Sequence, residues 1–151
     1  MAGRTVYFQD LPAPKTGLEK PYFSIREAGE KIRRLGIERG FEVVEEYPVR
    51  INGIGPLLKI DWVWLSHGKP VAGFEVEGAD VPIKGSIIPD CAKLTELGVN
   101  FCFVVTYAAR YKVGGWVVLE ENKKLAEFFR GRKNIVRISI DCLDANLPDF
   151  G

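Results

Sequence analysis

The 151-residue chain holds one histidine, one methionine and one glutamine. The single His67 stands beside Gly68 in a turn, so a histidine-based metal centre is excluded and a surface turn residue is its plain reading. The three cysteines, Cys91, Cys102 and Cys142, are odd in number, far apart and form no CxxC pair. Their apolar neighbours argue for buried free thiols and against a zinc site or a disulfide framework. No apolar run approaches the ~20 residues that a membrane helix needs. The N-terminus lacks an apolar signal core, which leads to the expectation of an intracellular protein with no membrane partner. No charge sign dominates: 21 basic and 20 acidic residues leave a net charge of +1. That balance neither demands nor forbids a nucleic-acid partner. Acids gathered at one site would, however, leave the rest of the surface more basic. Repeats, low-complexity segments and phosphate-binding glycine loops are all absent; Asn52-Gly53 and Gly114-Gly115 read as turns.

The length fits one domain with a sizeable core, and 46% hydrophobic with 27% charged residues is ordinary for a globular protein. Residues 1–20, with Pro12, Pro14 and Gly17, read as an N-terminal arm or irregular lead-in, with a short strand at Thr5 to Phe8. The α/β domain spans 21–141, and 142–151 reads as a loosely held tail. Ser24 with Glu27 makes a capping box for a helix that runs to about Arg39, with Ile25, Ala28, Ile32 and Leu35 on one stripe. Strands are predicted from Phe41 to Arg50, across Leu57 to Leu65, and across Val71 to Glu77. A second helix follows, opened or kinked by Pro89 and stopped by Gly98, with Ile87, Cys91, Leu94 and Leu97 on one face. Asn100 to Tyr107 is apolar on both faces, as in a central strand. A short strand at Trp116 to Leu119, a helix from Glu120 to Arg130 and a strand from Asn134 to Ile140 complete the order. The expected fold is α/β, a mixed central sheet flanked by helices: an antiparallel meander first, then strands joined in parallel through helices.

Acids sit where strands rarely carry them. Asp61 lies in Lys59-Ile60-Asp61-Trp62-Val63-Trp64, and Glu75 and Glu77 lie in Phe74-Glu75-Val76-Glu77. A carboxylate between Ile and Trp is costly to bury without a partner. Residues two apart share a strand face, so Glu75 and Glu77 point one way and Phe74 and Val76 the other. With the hairpin in register, Asp61 and Glu75 converge. Two or three carboxylate oxygens, a backbone carbonyl and waters suit Mg²⁺ or Mn²⁺, which polarises a phosphodiester and acidifies a bound water. The plainer alternative pairs Asp61 with Lys59 or Arg50 and leaves Glu75 and Glu77 as a solvated strand face. Trp62 and Trp64 read as core more readily than as a base-stacking platform.

This pattern resembles the PD-(D/E)XK nuclease superfamily, the restriction-endonuclease-like fold, from the helix near Ser24 to the strand ending near Ile140. The resemblance implies the order helix, three strands, helix, strand, helix, strand. It also implies a first acid on the second strand, matched by Asp61, and a (D/E)-x-K on the third. Glu75-Val76-Glu77 occupies that second motif with glutamate in place of lysine. By resemblance, Asp61, Glu75 and the Val76 carbonyl ligate the metal, and Glu77 ligates a second ion or orients the attacking water. Glu30 on the first helix matches the family's frequent additional glutamate, with Glu27 as runner-up. The missing lysine is supplied from further on, by Lys84 or Lys93, with Lys93 preferred because it lies on the following helix; each alone also reads as a surface lysine. The implied activity is metal-dependent endonucleolytic hydrolysis of DNA, with RNA left open, by a homodimer.

Arg130, Arg132 and Lys133 after the third helix, and Lys31, Arg33 and Arg34 on the first, are the candidates for holding a phosphate backbone. Favourable helix ends and solubility explain them as well. Two rival functions remain open on the same fold: a catalytically inactive nucleic-acid-binding module, and a structural or assembly protein.

Overall fold

Alternating and β-branched runs pair into a five-stranded mixed sheet, and the apolar stripes of the helices cover it. The computed structural model describes residues 5–7, 18–19, 25–78, 82–106, 109–113, 116–120, 123–132, 134–139, 143 and 147. Ser24, Lys133 and Cys142, singled out above, lie outside these residues. In chain order the elements are β1 (Thr5–Tyr7), β2 (Leu18–Glu19), α1 (Ile25–Glu38), β3 (Glu42–Arg50), β4 (Leu57–Ser66), β5 (Lys69–Glu77), α2 (Ile88–Leu97), β6 (Phe101–Thr106), β7 (Ala109–Val113), β8 (Trp116–Glu120), α3 (Lys123–Phe129) and β9 (Ile135–Ser139).

The five-stranded sheet has the order β3-β4-β5-β6-β9. β3, β4 and β5 form an antiparallel meander, and β6 and β9 run parallel to β5. Two residues with positive φ, His67 (50°) and Gly68 (75°), make the tight β4–β5 turn, as a right-twisted hairpin requires. A second, four-stranded sheet of order β1-β8-β7-β2 was not foreseen as a sheet. It draws β1 and β2 from the segment expected to be a lead-in. The segment read as a loose tail places Leu143 fully buried in the core.

Apolar residues fill both faces of the five-stranded sheet. One layer joins Ala28, Ile32 and Leu35 of α1 to Trp64, Phe74 and Phe103. The other joins Cys91 and Leu94 of α2 to Ile60, Val63 and Val104. Trp62 and Trp64 belong to the core, as expected: Trp62 packs against it partly buried, and Trp64 is fully buried, its Nε1 donates to the Ile32 carbonyl at 3.2 Å, and its ring lies 4.5 Å from that of Phe74. Ile25, placed on the α1 stripe by spacing, is instead 62% exposed. The buried face of α1 is carried by Gly29 and Gly36 as well, because the indoles of Trp62 and Trp64 press against the helix backbone there.

A Cβ at Gly36 would stand 2.5 Å from Trp64 Nε1 and 2.7 Å from Val43 Cγ2. Gly36→Ala is therefore expected to destabilise by about 1–3 kcal/mol despite alanine's better helix propensity. A denaturant titration checks it; a neutral or stabilising result would mean that α1 does not sit this close to β4.

Candidate active site

The ladder breaks where the acids are. β3 and β4 pair on both sides of Asp61, through Glu45–Trp62 and Tyr47–Ile60, and between them Glu46 adopts a left-handed φ of 54°. The β4–β5 register runs from Ser66–Lys69 to Trp62–Phe74 and ends there. Beyond it, side chains replace backbone pairing. The Asp61 N–H donates to Glu75 Oε1 at 3.3 Å, and the Val76 N–H donates to Asp61 Oδ2 at 2.8 Å. Asp61 and Glu75 thus converge as the hairpin register predicts. Neither is a solvated strand face: Glu75 is 1% exposed and Asp61 is half-buried.

The helix α2 supplies the counter-charge. Lys93 Nζ lies 3.1 Å from Glu75 Oε1 and 3.2 Å from its Oε2, and donates to the Lys59 carbonyl at 2.9 Å. One turn earlier, Asp90 Oδ1 lies 3.7 Å from the same ammonium. Asp90 touches the carboxyl groups of both Glu75 and Glu77. Its Oδ2 is buried and meets no N–H or hydroxyl donor. The neighbouring carboxyls become partners for that oxygen only when one of them carries a proton.

Four carboxyl groups around one lysine perturb one another. Burial, and then the Asp61 carboxylate, push Glu75 up to about 7, against the pull of Lys93. Burial and Asp90 bring Glu77 to about 7. Burial and Glu75 bring Asp90 to about 7. Burial works against the Lys93 charge, but Glu75, Asp90 and Asp61 more than reverse this and hold it above its ordinary value. Between about 4.5 and about 7 the folded state therefore binds more protons at Glu75 and Glu77 than the unfolded chain does. The stability these groups leave intact at low pH is lost as pH rises through that window. The metal-free protein is expected to melt at a higher temperature near pH 6 than near pH 8, all else equal, and Asp90→Asn should flatten the difference. Identical pH profiles for wild type and Asp90→Asn would contradict this electrostatic picture.

Of the other predicted site residues, few join the cluster. Glu30 lies on the far side of α1 and pairs with Arg33 at 3.1 Å. Glu27 and Lys31 lie on the same helix, outside the cluster. Arg34 pairs with Glu38 at 3.0 Å, so Arg33 and Arg34 are each engaged by an acid of their own helix. Lys84 is exposed in the turn before α2, and no hydrogen bond or ion pair links it to the cluster among the described residues. Arg132 stacks over the Phe128 ring at 4.1 Å, and Arg130 is exposed. Cys91 and Cys102 are free and buried, and burial pushes the Cys102 thiol up to about 11, so both are inert fillers. Asp90 was not foreseen. Its signal was the Asp90-x-x-Lys93 spacing, which puts an acid and the preferred lysine on one helix face.

A divalent cation suits the chemistry of this donor set. Oxygen donors outnumber positive charges, and Asp90 Oδ2 is a buried acceptor without a donor. Asp61, Glu75, Glu77, Asp90 and the Val76 carbonyl are the groups that would hold a hard cation. Among the described residues no three acidic, histidine or cysteine side chains stand as a ready-made cage. The Lys93 ammonium sits against Glu75, and the Val76 N–H occupies Asp61 Oδ2. No described helix is long and apolar enough to cross a membrane.

No protein-family model and no curated protein matches the chain. Among solved structures, the chain is similar to the crystal structure of a protein of unknown function, AF1548, with 20% identity and a TM-score of 0.45. The match covers 77% of this chain and 58% of that one, so the chain spans less than two thirds of the neighbour's length.

Proposed function

We propose that the protein is a metal-dependent nuclease of restriction-endonuclease-like fold that hydrolyses DNA phosphodiester bonds. The observation that carries this is Lys93. It reaches from α2 to the acid on β5, and so supplies the cation that the Glu75-Val76-Glu77 segment lacks at its last position. The meander, the helix and the parallel strands that follow support the same reading.

In this mechanism Asp61, Glu75 and the Val76 carbonyl would hold Mg²⁺ or Mn²⁺, with Glu77 and Asp90 beside them. The bound cation supplies Lewis-acid polarisation of the phosphodiester and acidifies a water. The residues do the rest. Lys93, held protonated by its acid neighbours, orients the nucleophilic water and offsets negative charge that builds on the phosphoryl oxygens. It acts as a cation rather than a base. Glu77, brought to about 7 by burial and Asp90, is matched to accept a proton from water near neutral pH. The Val76 N–H fixes the Asp61 carboxylate and keeps it aimed between the splayed strands.

Metal binding is testable without a substrate. Saturating Mg²⁺ or Mn²⁺, at about 100 times the Kd, is expected to stabilise the fold by about 2.7 kcal/mol, which raises Tm by roughly 5–10 °C for a chain of this size. Glu75→Gln should abolish the shift. A melting curve indifferent to both ions would sink the proposal and favour an assembly protein, whereas a metal shift with DNA binding but no hydrolysis would favour an inactive binding module.

A further inference from the structure

The β3–β4 hairpin ends in a tip that its own backbone holds rigid. The two strands pair as far as Arg50–Leu57, and residues 51–56 close the hairpin beyond that pair. Asn52 (φ 55°) and Gly53 (φ 74°) are both left-handed and turn the chain tightly. The Ile51 carbonyl accepts the N–H groups of Ile54 and of Gly55, the latter at 3.0 Å. Arg50 Nη1 donates to the Gly55 carbonyl at 3.0 Å. The tip is therefore a preformed projection.

Its side chains are the wrong kind for a turn that faces water. Ile54 is 93% exposed, Leu57 is 53% exposed, and Pro56 between them is exposed as well. A single exposed apolar residue needs no explanation. A run such as Ile54-Gly55-Pro56-Leu57, with no polar side chain in it, marks a functional surface.

The tip also stands at the catalytic end. β4 runs antiparallel to β5, so the start of β4 lies where β5, β6 and β9 finish. Ligands of open α/β sheets bind outside those carboxyl ends. The turn at Ile51–Gly53 lies beside α2, the helix that carries Asp90 and Lys93. Leu57 precedes Asp61 by four residues, which is about 13 Å of strand, or about four base steps of a duplex. A strand held for cutting at the acid cluster thus runs within reach of the tip. A projecting apolar side chain needs a partner that can open around it, and a stacked duplex is one: an isoleucine between two base pairs buries its surface against them and kinks the helix. Arg50, exposed and paired with Leu57, adds a cation at the base of the tip, where the phosphates that border a base step would pass.

We infer that Ile54 is an apolar wedge that enters the DNA duplex between base pairs a few steps from the bond cut at the acid cluster, and bends it. This rests on the nuclease reading. Ile54 is a binding residue and takes no part in the chemistry.

Energy transfer between dyes at the two ends of a duplex of about 25 base pairs, in EDTA so that no strand is cut, tests it. Wild type is expected to raise the transfer on binding, because a bend brings the ends together. Ile54→Ser should bind about tenfold more weakly, with the slope of log affinity against log salt unchanged, and should give no rise at saturation. Ile54→Leu should keep both affinity and bend. Ile54 is almost wholly exposed, so Ile54→Ser should melt as wild type does and keep the Mg²⁺-dependent stabilisation. A wild-type protein that binds and cuts DNA without raising the transfer would overturn the inference and leave the nuclease reading intact. So would a bend by saturated Ile54→Ser equal to that of wild type. A fall from dimer to monomer in Ile54→Ser, with the bend retained, would assign the tip to a contact between copies and overturn the inference equally. A wild-type protein that binds no DNA removes the nuclease reading and this inference with it.

Discussion

Lys93→Met is expected to lose activity by a factor on the order of 10²–10⁴ and to lose stability in a pH-dependent way. The ammonium is the nearest positive charge to a Glu75 carboxylate that is 1% exposed, and it also donates to the Lys59 carbonyl. Without it, Glu75 is a buried carboxylate with only acids for charged neighbours, and its pKa climbs beyond the present value of about 7. Near pH 8 the fold then carries either an unpaired charge or the cost of protonating it, at most about 3–5 kcal/mol. Near pH 5 Glu75 is neutral with or without Lys93, so most of the cost disappears. Denaturant titrations of both proteins at the two pH values measure the difference. A penalty equal at both would mean that Lys93 acts through packing alone; a penalty confined to high pH, together with lost cleavage, ties the lysine electrostatically to the acid cluster.

Asp61→Ala is expected to abolish cleavage, a fall on the order of a thousandfold or more, while the fold persists. Two effects on stability oppose each other. The Val76 N–H loses its acceptor, which costs about 1–2 kcal/mol. The Asp61 charge that raises Glu75 is also removed, which relieves the cluster. The net change in Tm is therefore small, and the loss of activity cannot be assigned to unfolding. Cleavage at the wild-type rate by this variant would remove Asp61 from the chemistry and with it the proposed metal site.

The acids on β4 and β5 were legible because local rules disfavour them. An aspartate between Ile60 and Trp62, and two glutamates alternating with Phe74 and Val76, conflict with strand propensity unless something holds them. Lys93 was legible from its place on the helix after the motif. Glu30 was drawn from family resemblance, yet the helical period already argued against it: Ala28, Gly29, Ile32, Leu35 and Gly36 define the buried face, and Glu30 falls opposite. Asp90 was hidden for another reason. An acid just after Pro89 in the first turn of a helix reads as a favourable partner of the helix dipole, and nothing local reveals that it meets Glu75 and Glu77. The break in the ladder at Asp61 was equally silent, since it depends on Glu46 taking a left-handed conformation on the opposing strand. The second sheet escaped notice because β2 is two residues long and carries no periodicity. Its pairings with β7, and those of β1 with β8, join segments far apart in sequence.

Cleavage of a mixed panel of labelled DNA substrates, duplex, branched and single-stranded, in Mg²⁺, in Mn²⁺ and in EDTA, tests the central claim most directly. The account predicts cleavage in one or both metals, none in EDTA, and none by Asp61→Ala in any condition. Cleavage that persists in EDTA, or no cleavage of any substrate in either metal by a protein that melts normally, would contradict it.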